Sequence, residues 1–99
     1  MAYEMTVGLQ ITDDLLYTQY RTAMSPLLSK KGGGFRYDFK VSETLTNEGG
    51  NPINRVFAIY FQDKPSMDSF FSDPAYLKIK QTYFESSVAA TTIIAEYER

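Results

Sequence analysis

Cysteine, histidine and tryptophan are all absent from this sequence. Without cysteine there is no disulfide, no thiol nucleophile and no thiolate metal site. Without histidine the commonest general base and the commonest transition-metal ligand are missing. Ser-His-Asp and Cys-His catalysis are excluded, and zinc, whose sites rely on Cys or His, is not expected. Charge of one sign is also scarce: 10 basic and 12 acidic residues give a net charge of −2, with no block of five like charges. That removes the basic footprint of a nucleic-acid binder and the polybasic patch of a membrane binder. No apolar run approaches the ~20 residues of a membrane span. Met1-Ala2-Tyr3-Glu4 is neither a charged lead nor an apolar signal core. The expectation is a cytoplasmic protein that needs no metal or cofactor and meets neither nucleic acid nor membrane.

What is present is one pattern used twice. A strand-like run, a helix-like run and a second strand-like run fill Ala2 to Val41, and the same order returns from Arg55 to Tyr97. Tyr3, Met5, Val7, Leu9 and Ile11 alternate with polar residues or glycine, a half-buried strand. Thr12 or Asp13 caps a helix whose apolar stripe is Leu16, Tyr20, Ala23, Met24 and Leu27. Pro26 is expected to kink or divide that helix near Ser25, and Gly32-Gly33-Gly34 ends it. Phe35, Tyr37, Phe39 and Val41 alternate with Arg36, Asp38, Lys40 and Ser42. Thr46 to Asn54 is loop-like. Arg55 to Gln62 is nearly continuous in apolar character, which suits a central strand. Pro65-Ser66 opens a short helix, and Asp73-Pro74 interrupts and restarts it, with Asp as cap and Pro at the first helical position. Thr91 to Tyr97 is β-branched and closes the chain.

Ninety-nine residues make one domain, 1–99. The fold class is α+β, a ferredoxin-like βαββαβ unit. Right-handed crossovers place both helices on one sheet face, and the antiparallel strand order is 4-1-3-2. The predicted helix-facing layer is Met5, Val7, Leu9, Phe35, Tyr37, Phe39, Phe57, Ile59 and Phe61. The opposite layer is Glu4, Thr6, Gln10, Arg36, Asp38, Lys40, Val56, Ala58, Tyr60 and Glu96. Its apolar middle, Val56, Ala58 and Tyr60, favours a homodimer in which two sheets pair face to face. The expected interface is Arg36, Asp38, Val56, Ala58 and Tyr60, about 800 Å² per subunit. A solvated sheet is the alternative.

These residues resemble the dimeric α/β-barrel superfamily and, within it, the family known as domain of unknown function thirteen-thirty. The likeness is carried by Arg55-Val56-Phe57-Ala58-Ile59-Tyr60-Phe61 through Ser72-Asp73-Pro74-Ala75-Tyr76. It is carried in the first half by Tyr20, Pro26 and Leu27, followed by Gly32 to Gly34. The resemblance implies a homodimer whose sheets face each other, and no established reaction. Family members often carry Glu where this chain has Tyr60, so any role for that acid does not transfer. Superfamily relatives include cofactor-free monooxygenases and lactone isomerases, whose chemistry a shared fold does not carry over.

Tyrosine is the plentiful residue that is both bulky and able to donate a proton. Tyr20, Tyr37, Tyr76 and Tyr83 are expected to point toward the space between sheet and helices, where they could orient a small aromatic ligand. The plainer reading is core aromatics with satisfied hydroxyls, with Tyr76 a packing anchor. Arg36 and Arg55, with Asp38, could form an anion clamp or an ordinary ion pair. Asp13-Asp14 reads as helix capping, and the three glycines as a turn without the context of a phosphate loop. The functional expectations are three: a dimer that binds a small apolar or aromatic molecule; a cofactor-independent monooxygenase- or isomerase-like enzyme in which Tyr20, Tyr76 or Arg36 polarises a substrate oxygen; and a structural or regulatory dimer with a filled core. A cavity of a few hundred Å³ separates the first two from the third.

Overall fold

Alternating apolar residues build β1 (Tyr3–Ile11) and β2 (Gly34–Lys40), the apolar run builds β3 (Arg55–Phe61), and the β-branched run falls in β4 (Val88–Glu98). The computed structural model describes residues 1–99. Between β1 and β2 lies α1 (Asp14–Lys30). Between β3 and β4 come α2 (Lys64–Ser72), α3 (Pro74–Ile79), a π-helical turn (Lys80–Phe84) and α4 (Glu85–Ser87). The sheet is antiparallel in the order β2-β3-β1-β4, the predicted order read from its other edge. Its shortest dimension is 17 Å, a slab two layers thick.

The caps are those the sequence offers. Asp13 accepts a hydrogen bond from the Leu16 amide (3.0 Å), Asp63 from Ser66 (2.8 Å) and Asp73 from Ala75 (2.9 Å). Pro74 takes the first position of α3. At the other end of α1 the Gly32 and Gly33 amides donate back to Ser29 and Leu28, both at 3.0 Å. Gly32 has φ +71°, the left-handed turn that glycine adopts without strain. Pro26 does not divide α1, which runs unbroken to Lys30. Pro26 lies on the solvent side, and buried Met24 and Leu28 hold the helix on either side of it. The buried stripe is Tyr17, Tyr20, Met24 and Leu28, so the helix is rotated from the expected stripe, and Leu16 and Leu27 are only half-buried.

The core fills the space between sheet and helices. Met5, Val7, Leu9, Phe57, Ile59 and Phe61 meet the α1 stripe, Met67, Phe70 and Tyr76. β3 is central, between β2 and β1.

Three register shifts interrupt the ladders, one between β2 and β3 and two between β1 and β4. Phe35 pairs with Ile59, but Tyr37 pairs with Ala58, so Arg36 is an extra residue in β2. Because faces alternate along a strand, one inserted residue reverses every position after it. Phe35 faces the helices as predicted. Tyr37 and Phe39 do not: they lie on the open face, opposite Ala58 and Val56, and are 55% and 56% exposed. Asp38 and Lys40, expected on the open face, lie on the helix side, paired with Phe57 and Arg55. A second shift, between Thr6 and Val7, makes Ile94 the extra residue of β4. Glu96 then pairs with Met5 on the helix side rather than on the predicted open face. Val56, Ala58 and Tyr60 occupy the open face as expected. Segment 41–54 folds back along one end of that face, with Ile53 over Gly8.

The exit turn of α1 gives a stability prediction. A Cβ at Gly33 would stand 2.6 Å from the Tyr60 carbonyl oxygen, a backbone atom of the central strand. Gly32→Ala should cost about 1–2 kcal/mol through its backbone conformation alone. Gly33→Ala should cost more, and urea denaturation of the two variants will rank them.

Candidate functional site

Between the sheet and the helices the core leaves a cavity of about 330 Å³, lined by 16 residues of which 13 are apolar or aromatic. The sheet supplies its floor from all four strands: Phe35 from β2, Phe57 and Ile59 from β3, Met5, Val7 and Leu9 from β1, Thr91 and Ile93 from β4. The helices supply its roof: Tyr17, Tyr20, Arg21 and Met24 from α1, then Phe71, Tyr76, Lys80 and Phe84. The exposed members of the wall, Thr91 and Ile93, lie on the edge strand β4, so the cavity opens along that edge. Tyr76, Lys80 and Phe84 are spaced by four. In an α-helix that spacing drifts around the axis, and the wider π-helical turn, closed by the Glu85 amide on the Lys80 carbonyl, offsets the drift. All three reach the same wall.

The polar groups on this wall are few and ordered. The Tyr20 and Tyr76 hydroxyls share a hydrogen bond of 2.8 Å inside a cluster of rings that includes Phe70 and Phe84. Arg21 donates from Nε to the Tyr17 hydroxyl (2.8 Å) and lies 3.8 Å above the centre of the Phe35 ring. Its other nitrogens reach Asp38 (3.0 Å), which also accepts two 2.8 Å bonds from Arg55. Arg55 approaches Asp14 (3.8 Å), which pairs with Lys40 (3.2 Å). This chain of charges follows from the β2 bulge, which sends Asp38 to the helix side.

Burial pushes the Tyr17, Tyr20 and Tyr76 hydroxyls above the ordinary tyrosine value of 10.0. All three are therefore protonated near neutral pH and do not act as bases. Burial alone would raise the Asp38 carboxyl, but the hydrogen bonds of Arg55 and the charge of Arg21 hold it below its ordinary 3.8.

On the open face Glu4 is only 1% exposed. It is covered by a thin layer of its own subunit, accepting from Tyr97, from Arg36 (2.6 Å) and from Arg99 (3.3 Å). Burial opposes its ionisation, yet these three partners lower its pKa. Arg36 also lies 4.2 Å above the centre of the Tyr60 ring, and Tyr60 stands directly across from Glu4.

Of the residues the sequence nominated for a ligand, the structure brings Tyr20 and Tyr76 together on the cavity wall. Tyr37 is on the opposite sheet face. Tyr83 is half-buried against the core but does not reach the cavity wall. Arg36 points away from the helices, to Glu4. Arg36 and Arg55 serve different carboxylates on opposite faces, so they form no clamp. Sequence reasoning missed Tyr17, Arg21, Lys80 and Phe84. The spacing of Tyr17, Tyr20, Met24 and Leu28 could have located the true stripe of α1, and with it Arg21, one turn after Tyr17. No group of three or more acidic side chains is arranged to hold a metal ion.

The Asp38 pairing has a pH signature. A depressed carboxylate stabilises the fold fully above its unfolded pKa, and the contribution is lost as pH falls through the folded value. Stability should be steady down to about pH 5 and fall below about pH 4. Asp38→Asn should lose about 1–3 kcal/mol at pH 7, because two arginines lose their acceptor. Its acid limb should also be shallower, as equilibrium unfolding at a series of pH values will show.

Solved structures share this architecture at low identity. A protein of unknown function from Rhodopseudomonas palustris superposes with a TM-score of 0.80 at 13% identity, over 99% of this chain and 82% of that one. A dabb family protein with a ferredoxin-like fold from Mesorhizobium loti gives 0.68 at 14%, over 99% and 96%. A dimeric ferredoxin-like protein of unknown function from Jannaschia sp. gives 0.61 at 13%, over the whole of both chains. No curated protein matches the sequence. The family model described as Domain of unknown function (DUF1330) matches residues 2–97. With that match spanning both βαβ halves, the chain belongs to the DUF1330 family and has its ferredoxin-like α+β fold.

Proposed function

We propose that the protein is a homodimer that holds a small apolar or aromatic molecule in the cavity between sheet and helices. The observation that carries this reading is a 330 Å³ space whose apolar wall bears the buried Tyr20–Tyr76 pair. Two phenols joined by one hydrogen bond use only one of their two protons. The second is free to donate to an oxygen of a ligand, and the surrounding rings exclude water from that bond. A filled core would leave no such space, so a purely structural dimer is the weaker reading. The monooxygenase- or isomerase-like reading is weaker too: Arg36 lies on the other sheet face, and the cavity wall carries no carboxylate to move a proton from a substrate polarised by Tyr20 or Tyr76.

The dimer reading rests on the open face. Tyr37, Phe39 and Tyr97 give it more exposed apolar surface than the sequence pattern indicated, because the bulges at Arg36 and Ile94 turn them onto this face beside Ile94. Glu4 does not oppose pairing, since its charge is already matched within each subunit. The neighbours from Jannaschia sp. and Bacteroides fragilis, each described as dimeric, support the same assembly.

Sedimentation should give twice the chain mass of 11.3 kDa at micromolar concentration. Phe39→Lys and Ile94→Lys together should return the monomer with an unchanged far-ultraviolet spectrum, since both side chains are half exposed in the single subunit. A wild-type monomer would overturn the pairing. For the cavity, 2-naphthol titrated by fluorescence should bind, and Ile93→Trp should weaken it about tenfold or more by filling the mouth. Ile93 is 49% exposed, so the larger ring does not disturb the core. Binding unaffected by this substitution would place the ligand elsewhere.

A further inference from the structure

Resting on that ligand-binding reading, we propose that the occupant is an anion: a one- or two-ring apolar molecule carrying a carboxylate or similar acidic oxygen group, recognised by Lys80. The cavity wall carries two cations, Arg21 and Lys80, and no acid. Arg21 is committed elsewhere, to the Tyr17 hydroxyl and to Asp38. Lys80 is not: none of the ion pairs includes it. Its nearest aromatic neighbour is Phe84, whose ring centre is 5.9 Å from Nζ.

The desolvation balance selects the charge of the ligand. An apolar molecule filling this space removes water from the Lys80 ammonium and gives nothing back, which is costly for an ion. A molecule of the same shape with a carboxylate supplies the missing acceptor as a charge-assisted hydrogen bond. On the ligand's side, Lys80 is the one uncommitted cation on this wall, so a carboxylate finds no other free charge to pair with there. The Tyr20–Tyr76 pair adds a neutral donor that also suits an anionic oxygen. At about 30 Å³ per water, the cavity has room for about ten waters, which matches one or two fused rings with a short acidic group.

The test compares two ligands of one shape, 2-naphthoate and the neutral 2-naphthamide, titrated into the protein near pH 7 in low salt. The carboxylate should bind about tenfold more tightly than the amide. In Lys80→Gln that preference should fall to about twofold or less. Lys80 is half-buried and has no ion partner, so this variant should keep the wild-type melting temperature. Equal affinities in the wild type would overturn the anion assignment and leave the cavity reading standing. A preference that survives in Lys80→Gln would overturn the role of Lys80. Failure of 2-naphthol, 2-naphthoate and 2-naphthamide alike would overturn the cavity reading, and the anion assignment with it.

Discussion

A single inserted residue, Arg36 in β2, decides what each face of this sheet is. Before it, Phe35 points into the core. After it, Tyr37 and Phe39 point outward and Asp38 points under the helices. The reversal costs local ladder regularity, which an edge strand tolerates better than a central one. In exchange Asp38 reaches Arg21 and Arg55 and anchors α1 to the strands. Without the extra residue Asp38 would lie on the far face and the two arginines would sit beneath the helices without their shared acceptor.

The cavity depends on the same arrangement. Arg21 is held flat against Phe35 because Asp38 and Tyr17 take its nitrogens. A guanidinium fixed in this way forms wall rather than filler. At the other end, the π-helical turn carries Lys80 and Phe84 onto the line begun by Tyr76. The space between these two ends is bounded by rings that meet at centre-to-centre distances of 5.1–6.4 Å. Rigid aromatic walls resist collapse, which is how a small domain can keep an open volume within an otherwise packed interior.

The open face follows a different rule. The one strand carboxylate on it, Glu4, is saturated by Arg36 of β2, Tyr97 of β4 and Arg99, which follows β4. The cost of burying that charge is met within the chain, so the proposed sheet pairing would add apolar contact without adding an unmatched ion at Glu4. Arg36 stacks on the Tyr60 ring while bonding Glu4 across β3.

Much of the fold was legible in the sequence because it is written in local periods. Alternation in Tyr3 to Ile11, the caps Asp13 and Asp73, the glycine exit and the apolar third strand each act within a few residues. Together they fix the βαββαβ order and the strand order 4-1-3-2. Tyr20 and Tyr76 could be nominated on residue type alone. The bulges at Arg36 and Ile94 could not be seen, since a bulge is a mismatch between two strands and neither strand alone contains it. For that reason Tyr37, Asp38 and Glu96 were assigned to the wrong faces. The rotation of α1 and the π winding at Lys80 are likewise settled by what the helices pack against. Sequence alone determined which elements form and in what order. The tertiary structure decided which side chains share a face, because facing is set by register, and register belongs to pairs.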